Sequence, residues 1–484
     1  MKHFTPFNML DFYKLSLYTI FIELKQADDQ YLLVHGYTGA IDIANGSIVR
    51  HLKSHRNHLI PQESPFSINT FQLLLKRGYI TDKNQDEEII HVKKLAELLH
   101  RRDSILHKNF MFIISYDCNF RCPYCYENGI SHNGRQWTKK QFDRQMVDRV
   151  FKAMLEIEPH QELHDKHITL YGGEPLLKEN KEIVQYIVKK GRELGYVFEA
   201  ITNGYDLLEF EDLLGPDQIR FLQITVDGAK KQHNKRRIHY TDKETFDRII
   251  QNIDIALRHE VEVSVRVNTD ADNYQDLETL TTLFDSLGYS QNKNFMFYSA
   301  LLMDYEVPEE KKRQTQQRCA QNGSSTFHYM THLEFNRKHQ NSGYICQDTN
   351  VIKKIYTAMQ DKKPLRLHSI YCSAQSGEYL FDPYGDIYGC WSHVGKPESA
   401  LGHIGDSHIE WTKIREEWQE RHTGKSESCS RCKYVFLCSG GCYFKAKLYN
   451  GINSTFCFNY PDTFKHAANK AYEKYYGLVK HADK

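Results

Sequence analysis

From Phe110 onward the sequence alternates short apolar runs with longer amphipathic stretches, and this order constrains the fold more than any other feature. Short apolar runs bounded by turn residues are typical of buried strands, whereas apolar residues at helical spacing indicate helices. Strands that alternate with helices pair in parallel, because each helix returns the chain to the start of the next strand. The strand candidates are Phe110–Ser115, Ile168–Tyr171, Val197–Thr202, Leu222–Val226, Val261–Val267 and Phe295–Ser299.

One long helix is predicted between the first two strands. Thr138 and Gln141 have the spacing of an N-terminal capping box, in which each side chain accepts a hydrogen bond from a backbone N–H of the first turn. We therefore expect the helix to begin close to Thr138. The apolar residues that recur at helical spacing are Phe142, Met146, Val147, Val150, Phe151, Met154 and Leu155.

Four of the predicted strands end in motifs rich in glycine or polar residues. In parallel sheets, ligands bind at the loops that follow the carboxyl ends of the strands. Each motif alone is more typical of a tight turn between a strand and a helix, but four at one rim favour a binding site. The motifs are a loop with three cysteines, Gly172-Gly-Glu-Pro175, Thr202-Asn-Gly204 and Thr225-Val-Asp-Gly228.

The loop after the first strand carries Cys118, Cys122 and Cys125 at C-x3-C-x2-C spacing. An iron-sulfur cluster ordinarily takes four cysteine ligands, so three thiolates leave one iron open to another ligand. An open position is typical of a metal site that performs chemistry. A structural zinc site that takes His107 as its fourth ligand is the alternative from spacing alone.

Composition limits the possible partners and the compartment. The chain of 484 residues has 63 basic and 62 acidic side chains, so it offers no basic field for nucleic acid or an anionic membrane. The longest early apolar run, Leu15–Ile22, is too short to span a bilayer. Twelve cysteines without an export signal favour thiolate ligation in a reducing cytoplasm over disulfides.

The first hundred residues predict a small helix-and-hairpin module. After the early apolar strand, Tyr31–Ile43 has the order strand, glycine-containing turn and strand. A helical run then stops at Gly78, and the polar segment Asp82–Asp103 is predicted to be a connecting helix.

Together these motifs resemble those of the radical S-adenosylmethionine (SAM) enzymes that carry a C-terminal SPASM domain. The three-cysteine motif, with Tyr124 in its aromatic position, is followed by Gly-Gly-Glu-Pro as in that family. The C-terminal third contains the spacing C-x(9–15)-G-x4-C, C-x2-C-x5-C-x3-C and a final C of SPASM domains. The matching residues are Cys372, Gly385, Cys390, Cys429, Cys432, Cys438, Cys442 and Cys457.

The resemblance implies a 4Fe-4S cluster at the three-cysteine loop that binds SAM at its open iron and cleaves it to a 5'-deoxyadenosyl radical. It places Tyr124 against the adenine, Thr225 at the ribose and Arg237 at the carboxylate. Asn268 is a second ribose candidate, with packing at the edge of the core as an equal alternative. The residues implied to face the amino group are Gly172, Gly173 and Glu174.

The same resemblance implies two auxiliary 4Fe-4S clusters. The first takes Cys372, Cys390 and Cys442, and Cys346 is the candidate for its missing fourth ligand. Either Cys346 closes that cluster or one iron is open to substrate or solvent, whereas Cys319 is expected to be a non-ligand thiol. The second cluster takes Cys429, Cys432, Cys438 and Cys457.

The expected fold class is therefore α/β: a partial (β/α)6 TIM-like barrel with a small N-terminal α+β, winged-helix-like module and a C-terminal SPASM iron-sulfur domain. The expected boundaries are residues 1–105 for a peptide-recognition module, 106–307 for the radical SAM core, 308–365 for a bridging region and 366–484 for the SPASM domain.

Two departures from sulfatase maturases favour another substrate. In those relatives an acidic base follows the second SPASM cysteine, whereas Trp391 follows Cys390 here, and the N-terminal module is additional. The leading hypothesis is a maturase that installs a thioether or carbon-carbon crosslink in a ribosomally made precursor peptide. It would use an external flavodoxin- or ferredoxin-type electron donor and bind neither nucleic acid nor membrane.

Several alternatives stay open from the sequence. One is a formylglycine-generating sulfatase maturase; others are a non-catalytic iron-sulfur scaffold or electron relay, and a zinc-only interaction protein. No general base can be named, because tyrosines and acidic residues are abundant.

Overall fold

A computed structural model describes residues 12–105, 108–125, 127, 135–302, 349–450, 455–457 and 460–482. Cys346, His107 and Cys319 lie outside these residues. Among the described residues no helix combines the length and the apolar character needed to cross a membrane.

The described residues contain fifteen strands and fifteen α-helices. The strands are β1 (Lys14–Leu15), β2 (Thr19–Glu23), β3 (Gln30–His35), β4 (Ile41–Asn45), β5 (Ile80–Thr81), β6 (Lys108–Ile113), β7 (His164–Tyr171), β8 (Val197–Thr202), β9 (Ile219–Thr225), β10 (Glu262–Thr269), β11 (Phe295–Leu301), β12 (Glu378–Phe381), β13 (Asp386–Tyr388), β14 (Gly402–Ile404) and β15 (Ile409–Trp411). The helices are α1 (Gly46–Ser54), α2 (Ile68–Arg77), α3 (Gln85–Ile105), α4 (Arg135–Thr138), α5 (Arg144–Ile157), α6 (Lys181–Glu193), α7 (Lys230–Arg236), α8 (Phe246–Arg258), α9 (Asp276–Ser286), α10 (Thr349–Gln360), α11 (Lys413–Gln419), α12 (Glu427–Ser430), α13 (Val435–Cys438), α14 (Tyr443–Asn450) and α15 (Tyr460–Ala482).

The chain divides into two compact units, each built from separate stretches of sequence. The first contains the described parts of Met1–Asp103, Asp348–Tyr371 and Arg421–Lys484, and the second those of Ser104–Gln347 and Cys372–Glu420. We call them the N/C unit and the barrel unit. The four sequence-based boundaries given above stay predictions.

The barrel unit is built on an open sheet of ten strands in the order β11-β10-β9-β8-β7-β6-β12-β13-β14-β15. Strands β6 to β11 are neighbours in chain order and all run parallel, which confirms the predicted partial barrel. Strand β12 also pairs with β6 in parallel, and β13 to β15 continue antiparallel. All six predicted strands are present. Their carboxyl ends lie at one rim of the sheet, where the predicted site residues follow them.

Helix α5 packs a buried stripe that includes Val147, Val150, Phe151 and Met154, as its spacing predicts. The predicted capping box is wrong. The helix begins at Arg144, and the carboxylate of Asp143 accepts a hydrogen bond from the Met146 N–H at 2.7 Å. The preceding segment pairs instead, because Gln141 forms a β-bridge with Ser115 and the Thr138 carbonyl accepts from the Tyr116 N–H.

In the N/C unit, β2, β3 and β4 form an antiparallel sheet whose β3–β4 pair is the predicted hairpin. Helix α2 ends at Gly78, which adopts the left-handed conformation (φ 90°) expected of a helix-terminating glycine. Helix α3 matches the predicted connecting helix. One core of this unit joins the early strands to later helices through Ile20, Ile22, Leu32, Val34, Ile355, Ala467, Ala468 and Ala471.

Candidate active site

A cavity of about 180 Å³ lies at the carboxyl ends of the parallel strands of the barrel unit. Residues at or just after the carboxyl ends of β6, β7, β9 and β10 meet there, as expected for the carboxyl rim of a parallel sheet. The cavity is lined by every predicted SAM-site residue: Cys118, Cys122, Cys125, Tyr124, Gly172, Gly173, Glu174, Thr225, Arg237 and Asn268.

The three-cysteine loop, Cys118–Cys125, is held by backbone hydrogen bonds. Arg121 N–H donates to the Ile238 carbonyl at 2.7 Å, and Phe120 N–H donates to the Cys118 sulfur at 3.3 Å. Burial raises the pKa of Cys125 to about 12, whereas the nearby Arg237 guanidinium opposes the rise at Cys122. Bound iron would supply the positive charge that stabilises thiolates in so dry a site.

The Gly-Gly-Glu motif packs directly against this loop. A Cβ at Gly172 would lie 2.3 Å from the Ser115 carbonyl oxygen, and one at Gly173 would lie 2.3 Å from that of Asp117. Gly172 also has φ 128°, which side chains rarely adopt. The N–H groups of Gly173 and Glu174 donate to the same two carbonyls. Glycine is therefore required for the close approach of the two loops.

Glu174 is buried, and its carboxylate accepts hydrogen bonds from within the rim. The Thr202 hydroxyl and the Leu176 N–H donate to Oε1 at 2.6 and 2.9 Å, and the Asn203 N–H donates to Oε2 at 2.6 Å. Burial raises its pKa to about 7, against the effect of these hydrogen bonds. The carboxylate thus joins the loops after β7 and β8, which gives the Thr202-Asn-Gly204 motif a role in shaping the site.

Tyr124 is the centre of a polar network in the cavity. Its hydroxyl donates to Asp227 and accepts from Arg237 Nη1 at 3.1 Å, and Asn268 Nδ2 lies 3.4 Å away. Fully buried Asp227 also accepts from the Asn268 N–H at 2.9 Å. The sequence motif contained Asp227, but its role was missed. Because β9 ends at Thr225, strand alternation gives no direction for Asp227, and only the fold shows its contacts with Tyr124 and Asn268.

A second buried interaction, the ion pair of Arg236 and Asp270, lies at the same rim of the sheet. Arg236 Nη1 lies 2.8 Å from Asp270, and the Arg236 guanidinium lies over the Tyr124 ring. The sequence offered two adjacent arginines, and only the fold separates their surroundings. Arg236 pairs with a carboxylate, whereas Arg237 lines the cavity.

Tyr116 anchors the start of the three-cysteine loop. Its hydroxyl donates to Asp382 at 2.8 Å, and its ring stacks on Trp137 at 4.7 Å. The other Asp382 oxygen accepts from the N–H groups of Tyr384 and Asp386. Burial raises the pKa of Asp382 to about 7, and the neighbouring Asp386 adds to the rise.

Trp391 also lines the cavity and is 39% exposed, beside buried Cys390. Its ring lies 6.5 Å from that of Tyr171, another lining residue. The position that the family resemblance links to an acidic base therefore presents an aromatic surface. Further lining residues that the sequence did not single out are Phe120, Glu127, Ile201, Gln223, Arg266, Leu301, Leu302 and Ser392.

The remaining predicted ligands lie in both units. Cys372 and Cys390 belong to the barrel unit, whereas Cys429, Cys432, Cys438, Cys442 and Cys457 belong to the N/C unit. We call the latter five the C-terminal cysteine group. Burial raises the pKa of Cys438 to about 12, and Cys457, Cys429 and Cys432 add to it, which indicates that these thiols are neighbours. No three His, Cys, Asp or Glu side chains in the described ranges converge at metal-ligand spacing, so the ligand sets stay predictions.

A left-handed turn shapes the C-terminal cysteine group. Ser439, Gly440 and Gly441 have φ of 57°, 76° and 73° between Cys438 and Cys442. A Cβ at Gly441 would lie 2.1 Å from the Phe456 carbonyl oxygen, and the Phe456 N–H donates to the Gly440 carbonyl. Phe456 precedes Cys457, so the turn brings the last cysteine towards the others.

The cavity fits a cluster with a bound amino acid derivative on three observations. Three thiols line it, and the Gly-Gly-Glu loop lies against the three-cysteine loop at a spacing that only glycine allows. Buried Arg237 Nε has no hydrogen-bond partner among the described residues. A cation held in this way is suited to a carboxylate.

Comparison with known proteins supports this chemistry. Residues 112–284 match the family model of the Radical SAM superfamily. The cysteine-type anaerobic sulfatase-maturating enzyme of Clostridium novyi (strain NT) is 26% identical over 31% of this chain and 40% of its own length. That of Clostridium perfringens (strain 13 / Type A) is 20% identical over 68% and 86%. The chain thus spans less than half of the first relative.

Solved structures agree with the fold. Native anSMEcpe with bound AdoMet has a TM-score of 0.56 at 16% identity, covering 77% of this chain and 99% of its own. The family match confirms the predictions of an enzyme and of its 4Fe-4S and SAM cofactors. The part of the chain that matches the Radical SAM superfamily is thus residues 112–284, which contain the three-cysteine loop and the Gly-Gly-Glu motif.

Proposed function

We propose that this protein is a radical SAM maturase that crosslinks a ribosomally made precursor peptide in the cytoplasm. The carrying observation is that one cavity is lined by three thiols, the Gly-Gly-Glu motif and Arg237. With an electron, the bound cluster and SAM supply a 5'-deoxyadenosyl radical, which removes a substrate hydrogen atom. The product is a thioether or a carbon-carbon bond, formed with loss of two hydrogens.

The cavity residues hold and orient the cofactors in this proposal. Cys118, Cys122 and Cys125 hold the cluster, and Arg237 receives the SAM carboxylate. The backbone of Gly172, Gly173 and Glu174 faces the amino group, since the Glu174 side chain is engaged by Thr202, Asn203 and Leu176. Tyr124 lies against the adenine, and Thr225 and Asn268 contact the ribose.

The remaining cysteines are proposed to hold auxiliary clusters, which accept the electron that is released when the crosslink forms. Cys372, Cys390 and Cys442 hold one auxiliary cluster, with Cys346 as the candidate fourth ligand, and Cys429, Cys432, Cys438 and Cys457 hold the other. Cys429 is buried and Cys438 is half-buried, whereas Cys457 is exposed, so the second cluster would be shielded from solvent on one side only. Its potential would depend on this shielding and on the surrounding hydrogen bonds.

The peptide is proposed to bind the N/C unit by strand addition at the β2-β3-β4 sheet. Main-chain hydrogen bonds supply the affinity in this mode, which suits a chain of net charge +1. Strand β4 is an edge of the sheet, and its Ile43 is 43% exposed. Ile43→Glu is expected to weaken binding of the precursor peptide, taken from an open reading frame next to the gene for this protein, about tenfold. Leu98→Glu, on the exposed face of α3, is the matched control; equal weakening would contradict edge binding.

Sulfatase maturation is the second candidate, because two relatives carry that name. The aromatic Trp391 in the cavity favours peptide crosslinking over it, since tryptophan cannot accept the proton that an acidic residue takes. Mass spectrometry after coexpression with each substrate decides between them. Loss of two hydrogens per crosslink supports the first proposal, and formylglycine in a sulfatase peptide supports the second.

The primary test is the triple variant Cys118→Ala, Cys122→Ala and Cys125→Ala. It should abolish 5'-deoxyadenosine formation from SAM with dithionite, as read by chromatography, while the C-terminal cysteine group retains its iron. Persistent deoxyadenosine formation would refute the assignment of the SAM cluster.

A further inference from the structure

The three-cysteine loop borders two cavities in the barrel unit. The SAM cavity described above contains all three cysteines, whereas a second cavity of about 500 Å³ is lined by Cys118 and by none of the other described cysteines. Its remaining lining comes from loops at the same rim, including Asp117, Asn119 and Arg121, Lys178–Asn180 and His239–Asp242. Cys118 therefore has one side towards SAM and another towards an opening with no assigned occupant.

Aromatic rings connect the second cavity to the cluster loop. Tyr240 is 58% exposed, and its ring stacks on His239 at 4.6 Å. His239 in turn lies edge-on to Phe120 at 5.8 Å. The Phe120 N–H donates to the Cys118 sulfur at 3.3 Å, which completes the path from solvent to a cluster ligand.

Backbone pairing holds this path in place. Phe120 and His239 form an antiparallel β-bridge, and the Tyr240 N–H donates to the Asn119 carbonyl at 2.9 Å. The rings therefore keep a constant distance from the cysteine loop. Tyr205 packs on the other side of His239 at 4.2 Å and is itself covered by Arg248 at 4.0 Å.

The charges around the second cavity are nearly balanced. The cations are Arg121, Lys139, Lys178 and Arg248, and the acids are Asp117, Glu179, Asp206, Glu209 and Asp242. Burial lowers the pKa of His239, so this ring is neutral near pH 7. A partner here would be held by short-range contact rather than by long-range attraction, and its affinity would depend weakly on salt.

We propose that this surface docks the external electron donor, a flavodoxin-type protein whose flavin ring approaches Tyr240. This inference rests on the proposed function, which requires one electron per SAM cleaved. The donor hydroquinone loses one electron and becomes a semiquinone, and the oxidised 4Fe-4S cluster gains that electron. Entry beside Cys118 leaves the SAM cavity free for SAM and substrate. A planar flavin matches the exposed ring of Tyr240, which stacks on the buried ring of His239.

The test uses Tyr240→Ser in the reconstituted full-length protein, with Leu194→Ser as control. Leu194 is also an exposed apolar residue, 42% exposed, but it follows α6 at the opposite end of the sheet. We expect Tyr240→Ser to weaken the binding of oxidised flavodoxin about tenfold by calorimetry and to slow cluster bleaching by flavodoxin hydroquinone by about the same factor. Bleaching by dithionite should not change, and Leu194→Ser should match the wild type in all three measurements.

Three results would overturn the docking proposal: unchanged flavodoxin affinity in Tyr240→Ser, equal slowing with dithionite, or equal weakening in Leu194→Ser. Failure of the proposed function is distinct, since the wild type would then form no deoxyadenosine from SAM with dithionite, whatever its affinity for flavodoxin.

Discussion

The three-cysteine loop and the C-terminal cysteine group are both rich in thiols, but their surroundings differ. The first faces a cavity and is surrounded by hydrogen-bonded ionisable side chains, among them Glu174, Asp227 and Arg237. In the second, Cys429 packs in an apolar core with Tyr18, Val92, Leu99 and Phe436. A metal site that binds and cleaves a ligand needs access and polar contacts, whereas an electron store needs shielding.

The largest expected effect comes from disturbing the backbone contact between Gly173 and the three-cysteine loop, which belongs to the first of these two sites. Gly173→Ala would place a Cβ 2.3 Å from the Asp117 carbonyl and 2.6 Å from that of Tyr116, which displaces the three-cysteine loop. Deoxyadenosine formation should fall by about 100-fold or more, because such overlap costs about 3 kcal/mol. Gly477→Ala is the control, since nothing lies within 4 Å of its added Cβ. Similar activity of the two variants would remove the requirement for the close loop approach.

The second prediction concerns the buried carboxyl beside the three-cysteine loop. Because the pKa of Asp382 is raised to about 7, the folded state favours its protonated form. Its contribution to stability is present at low pH and is lost as pH rises from the unfolded pKa of about 4 through 7. Asp382→Asn keeps an acceptor for Tyr384 and Asp386 and does not titrate.

Thermal unfolding of wild type and Asp382→Asn at about pH 5.5 and about pH 7.5 measures this effect. The wild type should lose about 2 kcal/mol relative to the variant over that interval. Parallel pH profiles of the two proteins would show that Asp382 is ionised in the folded state throughout.

The third prediction concerns a variant that disrupts the C-terminal cysteine group and leaves the SAM site unchanged. Gly441→Ala forces a Cβ to 2.1 Å from the Phe456 carbonyl at a left-handed position. We expect crosslinked product to fall about tenfold and auxiliary iron to be lost, with dithionite-driven deoxyadenosine formation unchanged. Equal loss of both activities would mean that the two sites are not separable functions.

The smallest expected effect concerns the hydrogen bonds that Asp227 accepts next to Tyr124. Asp227→Asn replaces the carboxylate that accepts from Tyr124 and from the Asn268 N–H. The charge-assisted bonds become neutral, so SAM should bind about fivefold more weakly, or about 1 kcal/mol. Equilibrium binding of SAM measures the change. Asp217→Asn, outside the cavity, is the control, and matching affinities would exclude Asp227 from SAM binding.

Local pattern was sufficient for much of the barrel unit. The strands from β6 to β10 contain buried apolar residues and β11 is mostly half-buried, and the alternation of apolar runs with turn residues located all six and their common rim. The helix start near Thr138 could not be read in this way. A capping box competes with tertiary pairing, and Gln141 pairs with Ser115 instead.

The sequence by itself determined the candidate ligands, since cysteine spacing and Gly-Gly-Glu-Pro are local chemistry on the loops of a predictable sheet. Only the tertiary structure decided how neighbours in sequence divide their roles, because burial and partners come from distant segments. Arg236 pairs with Asp270 while Arg237 lines the cavity, and Trp391 meets Tyr171 there. The tertiary structure also placed the ring of His239 in contact with the rings of Tyr240 and Phe120, and the spacing of these residues in the sequence does not predict this.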